Sequence, residues 1–85
     1  MRAIDDTTAA KVAVLQKLRL WGTLPESDLA RMLRSFFLVT DDLREMEEEG
    51  LLDMAFRGDE YLLTMTTFGR LFLEQQETAE QEAPQ

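Results

Sequence analysis

The sequence predicts an α+β fold that is mainly helical, with a three-helix core, a two-stranded hairpin and a C-terminal helix. Four segments space their apolar residues as a helix with one buried face does, and two β-forming runs flank residues 57–60. The chain has 85 residues, of which 45% are hydrophobic, which suffices for one small domain with a core. We therefore expect one domain over residues 8–76, with an N-terminal arm at 1–7 and a frayed or disordered acidic tail at 77–85.

The first helix is predicted over residues 8–21. Val14, Leu18 and Trp21 fall on one of its faces, which is the spacing of a helix that packs against a core. Gly22 follows, and glycine adopts the left-handed backbone that ends many helices at little energetic cost. The helix therefore ends at Trp21, whose indole we expect in the core or in a dimer contact.

A second helix is predicted over residues 25–34. Pro25 suits its first turn, because the N–H that proline lacks has no partner there. Leu29 and Leu33 recur at helical spacing and are expected to face inward. Leu24, which lies between the first two helices, is expected to form a short extended bridge.

The third helix is predicted over residues 36–49, with Ser35 as its N-cap, since a serine hydroxyl accepts a hydrogen bond from the first helical turn. Thr40 is the competing cap. With that choice residues 36–39 form a strand or turn, and the helix has only about nine residues. Gly50 ends the helix in either case. The residues predicted to face the core are Val39, Leu43 and Met46.

A hairpin is predicted next, with strands at about 51–57 and 61–65 around a Gly-Asp pair that suits a tight turn. Thr66 then offers an N-cap for a fourth helix at about 67–76. This helix has its own apolar stripe at spacings of three and four residues. The members of the stripe are Phe68, Leu71 and Phe72.

Three short motifs run through the second helix, the third helix and the exit of the hairpin. They are Leu29-Ala30 followed by Leu33, then Ser35, Val39, Asp42-Leu43, Met46 and Gly50-Leu51-Leu52, and finally residues 66–70, which read TTFGR. Together they resemble motifs of the winged-helix (winged helix-turn-helix) superfamily, in particular bacterial transcriptional regulators of the DeoR, MarR and PadR types. The resemblance covers about residues 8–75.

This resemblance implies a third helix that faces the DNA major groove, a hairpin that serves as the wing, and a dimer contact between first and last helices. Candidate residues for the dimer contact are Trp21, Phe68, Leu71 and Phe72. Candidate residues for direct DNA binding are Arg31 and Arg34 beside the groove, Arg44 within it, and Arg57 at the wing tip.

The charge of the third helix conflicts with DNA reading. The chain has a formal net charge of -8, and residues 35–52 hold six acidic side chains against Arg44 alone. A helix in the major groove needs basic or amide side chains, and phosphates repel carboxylates. The helix therefore has three interpretations: a solvated acidic face, a protein-binding surface or a base reader. The candidate partner-binding residues are Phe37, Leu38, Asp41, Arg44, Glu45 and Glu48.

Catalytic and metal-binding chemistry has little support in the sequence. The chain has no cysteine and no histidine, and it carries no nucleophile motif and no phosphate-binding loop motif. We expect a non-enzymatic, cytoplasmic protein without cofactor, metal, small-molecule ligand or membrane segment. Its predicted function is that of a binding module in transcriptional regulation, acting mainly through a protein partner or as a homodimer. Direct DNA-binding repression is the alternative.

Overall fold

The computed structural model describes the backbone of residues 6–81 and the side-chain surroundings of residues 8–78. Within these residues it shows four α-helices and one three-stranded antiparallel sheet, so the predicted class, α+β and mainly helical, is confirmed. A 3₁₀ turn, Arg34–Phe36, separates the second and third helices. In chain order the elements are α1 (Asp6–Trp21), β1 (Thr23–Pro25), α2 (Glu26–Met32), α3 (Thr40–Glu48), β2 (Leu52–Arg57), β3 (Glu60–Met65) and α4 (Thr67–Gln81).

The sheet has the strand order β1-β3-β2, so the predicted hairpin of β2 and β3 is extended by a third strand. The expected bridge at Leu24 is strand β1, in which Leu24 lies opposite Leu63 of β3. Both leucines are buried. On the other face, the hydroxyl oxygens of Thr23 and Thr64 lie 3.0 Å apart. One leucine pair in the core and one threonine pair at the surface therefore attach β1 to the sheet.

Helix α3 begins at Thr40, so the predicted start at residue 36 with a Ser35 cap is wrong. Phe37 explains the later start, because it has a left-handed backbone (φ 55°, ψ 45°) that an α-helix does not continue. Val39 is the N-cap, and its backbone N–H donates to the Asp42 carboxylate at 3.1 Å. The helix has nine residues, the length expected with the competing cap, but its N-cap is Val39 and Thr40 is its first residue, so the predicted Thr40 cap is also wrong.

The later start changes which residues face the core. Leu43 and Met46 are buried as predicted, but Val39 is 57% exposed, so its predicted place in the core is wrong. Val39 precedes the first helical residue, and the helical spacing that placed it inward does not apply there. Phe37 also precedes the helix and is not part of its outer face.

Helix α4 continues to Gln81, so the prediction of a frayed tail is wrong for residues 77–81. Glu77 supports the extension, because its carboxylate oxygens accept from both terminal nitrogens of the Arg19 guanidinium on α1, at 2.8 and 2.7 Å. Residues 1–5 of the predicted arm and residues 82–85 of the predicted tail lie outside the described residues.

The hairpin turn and the start of α4 follow the predicted chemistry. The loop has two residues, Gly58 and Asp59, and Gly58 has the positive φ (65°) that glycine tolerates. The Thr66 hydroxyl accepts from the backbone N–H of Gly69 at 2.9 Å, which is the geometry of an N-cap.

Leucines dominate the core, which lies between the helices and the inner face of the sheet. Aromatic side chains stay at its margin: Tyr61 and Phe72 pack against its edge. Trp21 is 59% exposed, so the first of its two expected positions, the core, is wrong, and the dimer contact stays a prediction. The buried hydrophobic residues of the described part are Val14, Leu15, Leu18, Leu24, Leu29, Leu33, Leu43, Met46, Leu51, Leu52, Leu63 and Leu73.

Candidate interaction surface

The α2–α3 turn, residues 33–39, presents apolar side chains to solvent. Phe37 is 83% exposed, and Phe36 and Val39 are also exposed. The backbone of the turn is ordered by hydrogen bonds, since the N–H groups of Phe36 and Phe37 each donate to the carbonyl three residues earlier, at 2.9 and 3.0 Å. The turn therefore presents an exposed aromatic side chain from an ordered backbone.

Phe37 also carries backbone strain. Within the described residues it is the only non-glycine residue with a positive φ. A left-handed backbone costs a bulky L-residue about 1–2 kcal/mol. The ring buries too little surface to offset this cost through packing. Strain that packing does not explain is a recurrent property of functional segments, and it marks Phe37 as a candidate contact residue.

The outer face of α3 is acidic and solvated. Asp41, Arg44, Glu45 and Glu48 are exposed, as expected for candidate partner-binding residues on this helix. Leu38 differs from them, because it is half-buried and packs against the core. Three carboxylates and one guanidinium give this face a net negative charge.

Arg44 is held against the hairpin. Its guanidinium donates to the Tyr61 hydroxyl at 3.2 Å and lies over the Tyr61 ring, 5.6 Å from its centroid. The Tyr61 hydroxyl is the main cause that raises the pKa of Arg44 above its ordinary value. Phe56 packs edge-on against Tyr61 with ring centroids 5.0 Å apart. The three side chains thus form one cation–aromatic stack between α3 and the hairpin.

Two of the four candidate DNA-binding arginines are engaged by neighbouring side chains. Arg44 is occupied by Tyr61, and Arg31 donates to the Asp28 carboxylate at 2.5 Å. Arg57 follows Phe56 along β2, and successive strand residues point to opposite faces, so Arg57 lies on the face opposite the aromatic stack. Arg34 is exposed in the 3₁₀ turn.

A cleft of about 170 Å³ opens between α1, α3 and the α2–α3 turn. Its apolar walls come from Phe36, Leu38 and Met46, and from Ala10 on α1. Three charged side chains complete the lining. They are Lys11, Asp42 and Glu45.

Helices α1 and α4 run in the same direction. At one end, the Lys11 ammonium pairs with Glu49 at 2.8 Å. Gly50, which follows Glu49, lies close to the start of α4, since a Cβ at Gly50 would be 3.7 Å from the Phe68 ring. At the other end, Arg19 pairs with Glu77 at 2.7 Å. These two anchors place corresponding ends of the helices side by side.

The parallel arrangement separates the candidate dimer-contact residues. Phe68 and Leu71 lie in the first half of α4, whereas Trp21 ends α1 at the other end of the pair. At a rise of about 1.5 Å per residue, Trp21 and Phe68 are roughly 15 Å apart along the helices. Phe72 packs against the core. Trp21 and Phe68 therefore belong to two exposed patches rather than one.

Sequence reasoning missed the aromatic stack and the cleft. The stack had a readable signal, because Phe56 and Tyr61 flank a two-residue turn and so face each other across the strands. The cleft had none, since Ala10 and Lys11 meet α3 only through tertiary packing.

Among the described residues, no group of three acidic side chains is arranged to hold a metal ion, and no helix combines the length and apolar character needed to cross a membrane. Comparison with protein-family models, curated proteins and solved structures finds no match for this chain.

Proposed function

We propose that the chain is a small, non-enzymatic binding module of the winged-helix type that works in transcriptional regulation through protein contacts. The contact surface consists of the α2–α3 turn and the outer face of α3. The single observation that carries this proposal is Phe37, an aromatic side chain that is 83% exposed on a strained, hydrogen-bonded turn. Aromatic side chains are enriched in protein interfaces and carry much of their binding energy.

The order of elements supports the winged-helix part of the proposal. Three helices precede a hairpin, β1 joins that hairpin as a third strand, and a fourth helix follows. In this layout α3 takes the place of the recognition helix and the β2–β3 loop that of the wing tip. Since a fold does not determine a function, the proposed role depends on the side chains of α3 and not on the layout.

Charge favours protein over DNA as the partner. The outer face of α3 presents Asp41, Glu45 and Glu48, which phosphates repel. Its one basic residue, Arg44, already donates to Tyr61. Arg57 at the hairpin end lies on the opposite face of the strands, so the two arginines do not form one basic surface.

The proposal is tested by comparing two matched substitutions. Tagged wild-type chain, Phe37→Asp and Phe68→Asp are used to isolate partners from the source cells, and the retained proteins are identified by mass spectrometry. We expect a specific partner to be kept by wild type and Phe68→Asp but lost with Phe37→Asp. Circular dichroism melting should show that Phe37→Asp remains folded, because the ring is exposed.

A salt-titrated DNA-binding assay, run beside light scattering, tests the alternative. We expect weak or absent DNA binding. Tight binding that falls steeply with salt, and is lost in Arg44→Ala or Arg57→Ala, would establish direct DNA reading and overturn the proposal. Light scattering reports whether the chain is a homodimer, and Phe68→Asp tests whether the start of α4 contributes to it.

A further inference from the structure

The cleft between α1 and α3 has the size of one side chain. Its volume is about 170 Å³, and protein cavities of about 150 Å³ hold a benzene-sized group. Drug-sized ligands occupy larger pockets, of about 300 Å³ or more. Phe36, Leu38 and Met46 supply an apolar lining, so the matching occupant is a leucine- or phenylalanine-sized group.

The charges around the cleft favour a positively charged group on the molecule that binds there. Lys11, the one cation in its lining, is already paired with Glu49 at 2.8 Å. The Asp42 carboxylate caps the backbone of Val39. Glu45 makes no ion pair with any described residue and is exposed beside the apolar walls. One cation and three carboxylates leave this site with a negative potential that attracts basic groups.

We infer that the cleft is an anchor pocket for a basic peptide segment of a partner protein. One apolar side chain of that segment fills the space between Ala10, Phe36 and Met46, and a neighbouring lysine or arginine pairs with Glu45. The inference rests on the proposed function, because it specifies the chemistry of the protein partner. It adds a location, since the pocket lies beside α1, and Glu45 at its rim also belongs to the outer face of α3.

The occupant is a single anchor within a basic segment for two reasons. The volume admits one large apolar side chain, so an amphipathic helix with a row of anchors does not fit into this cleft. A purely apolar segment would leave Glu45 beside it without a partner and partly desolvated, which is unfavourable. One apolar side chain with a basic residue next to it fits the volume of the cleft and also gives Glu45 a partner.

The test is a selection from a phage-displayed library of random 12-residue peptides against the immobilised full chain at low salt. We expect enrichment of peptides that combine lysine or arginine with one leucine or aromatic residue. A synthetic copy of the enriched peptide is then titrated by fluorescence anisotropy. Its affinity should fall as salt rises. No enrichment, or enrichment of peptides without basic residues, would overturn the inference.

Matched variants locate the peptide. Glu45→Gln should weaken binding about two- to fivefold, which is the range for a rim ion pair, whereas Asp53→Asn, which neutralises an exposed carboxylate on β2 outside the cleft, should leave affinity unchanged. Ala10→Leu places a larger side chain in the cleft and should weaken binding at least about tenfold. Melting temperatures of all three variants check that the domain is folded.

Methyl NMR separates a failure of the inference from a failure of the proposed function. The enriched peptide should shift the methyl signals of Leu38 and Met46, which line the cleft. If binding survives Ala10→Leu and depends on Phe37 instead, the anchor pocket is refuted and protein binding through the α2–α3 turn stands. If no peptide binds and DNA does, both proposals fail.

Discussion

At the α3–β2–α4 junction three backbone segments meet in close contact, whereas the α2–α3 turn holds its side chains in solvent. In the junction, the Thr66 hydroxyl donates to the carbonyl of Gly50 at 2.5 Å and accepts from the N–H of Gly69 at 2.9 Å. Gly69 itself is buried, and its Cα faces the carbonyl of Leu51. In the turn, by contrast, Phe37 is strained and exposed.

The comparison separates residues that the fold itself requires, in the junction, from a residue that the fold does not require, in the turn. In the junction, close packing accounts for Gly69, the positive φ (84°) for Gly50 and two hydrogen bonds for Thr66, so no further role is needed to explain them. Neither packing nor hydrogen bonding of the side chain accounts for Phe37. The turn therefore carries the candidate functional residue, and the junction stabilises the fold.

The strongest test of the junction is Gly69→Ala. Helix propensity alone would make alanine about 1 kcal/mol more favourable at this helical position. The added Cβ, however, would lie 1.9 Å from the Leu51 carbonyl oxygen and 2.8 Å from its carbonyl carbon. We expect a loss of about 3 kcal/mol in the free energy of unfolding, measured by urea denaturation.

Gly22→Ala is the control for this change. Gly22 has a positive φ (87°), but an added Cβ meets nothing within 4 Å, so only backbone strain of about 1–2 kcal/mol is expected. If Gly69→Ala loses no more than Gly22→Ala, the close approach of α4 to Leu51 does not govern stability and the contrast between the two regions is lost.

Removal of the junction hydroxyl should have an intermediate effect. Thr66→Val keeps the shape of the side chain and loses both hydrogen bonds, to the Gly50 carbonyl and from the Gly69 N–H. We expect a destabilisation of about 1–2 kcal/mol, the range for a lost N-cap. Thr67→Val, at the exposed next position, should change stability by less than about 0.5 kcal/mol in the same urea experiment. Equal effects would show that the cap contributes nothing specific.

Phe37→Asn should have a smaller effect of opposite sign. Asparagine tolerates the left-handed backbone better than phenylalanine, so we expect a stabilisation of about 0.5–1 kcal/mol together with loss of partner binding. Phe68→Asn, where φ is negative, should give no such gain. A loss of more than about 1 kcal/mol with Phe37→Asn, seen in urea denaturation, would mean that the ring supports the core and that the turn resembles the junction after all.

The smallest effect is expected at the exposed end of the α1–α4 contact. Hydrogen bonding from Arg19 lowers the pKa of Glu77 below its ordinary value of 4.5. The stabilisation is therefore present above about pH 4.5 and lost as pH falls through the lower pKa of the folded state. The stability difference between wild type and Glu77→Gln should shrink between pH 7 and pH 3. In an Arg19→Gln background this pH dependence should become much smaller, because only the Gln16 amide still donates to Glu77, and an unchanged pH dependence would assign it to another group.

Local chemistry made the N-cap of α4 and the hairpin turn predictable. Thr66 before a helix and Gly58 in a two-residue loop act through neighbours in sequence, and both positions were predicted correctly. The cap of α3 also had a local signal, since Asp42 stands three residues after Val39 and its carboxylate reaches back to the Val39 N–H. Serine at position 35 competed with that signal and led to the wrong start.

Tertiary contacts made the remaining features unpredictable. The extension of α4 accompanies an ion pair across 58 residues of sequence, between Arg19 and Glu77. The cleft joins Ala10 to α3 in the same non-local way. Three consecutive bulky residues at 36–38 carry no helical or strand period, so the exposure of Phe37 was open until the backbone of the turn was known.

The placement of β1 has a kinetic consequence. The β2–β3 hairpin closes over a two-residue loop, while Thr23 of β1 must find Thr64 across 41 residues of sequence. Contacts that are close in sequence form early, and closing a long loop is entropically costly before other contacts compensate. We therefore expect the hairpin to form ahead of the β1–β3 pairing. The three-residue strand would then dock onto a hairpin that has already formed.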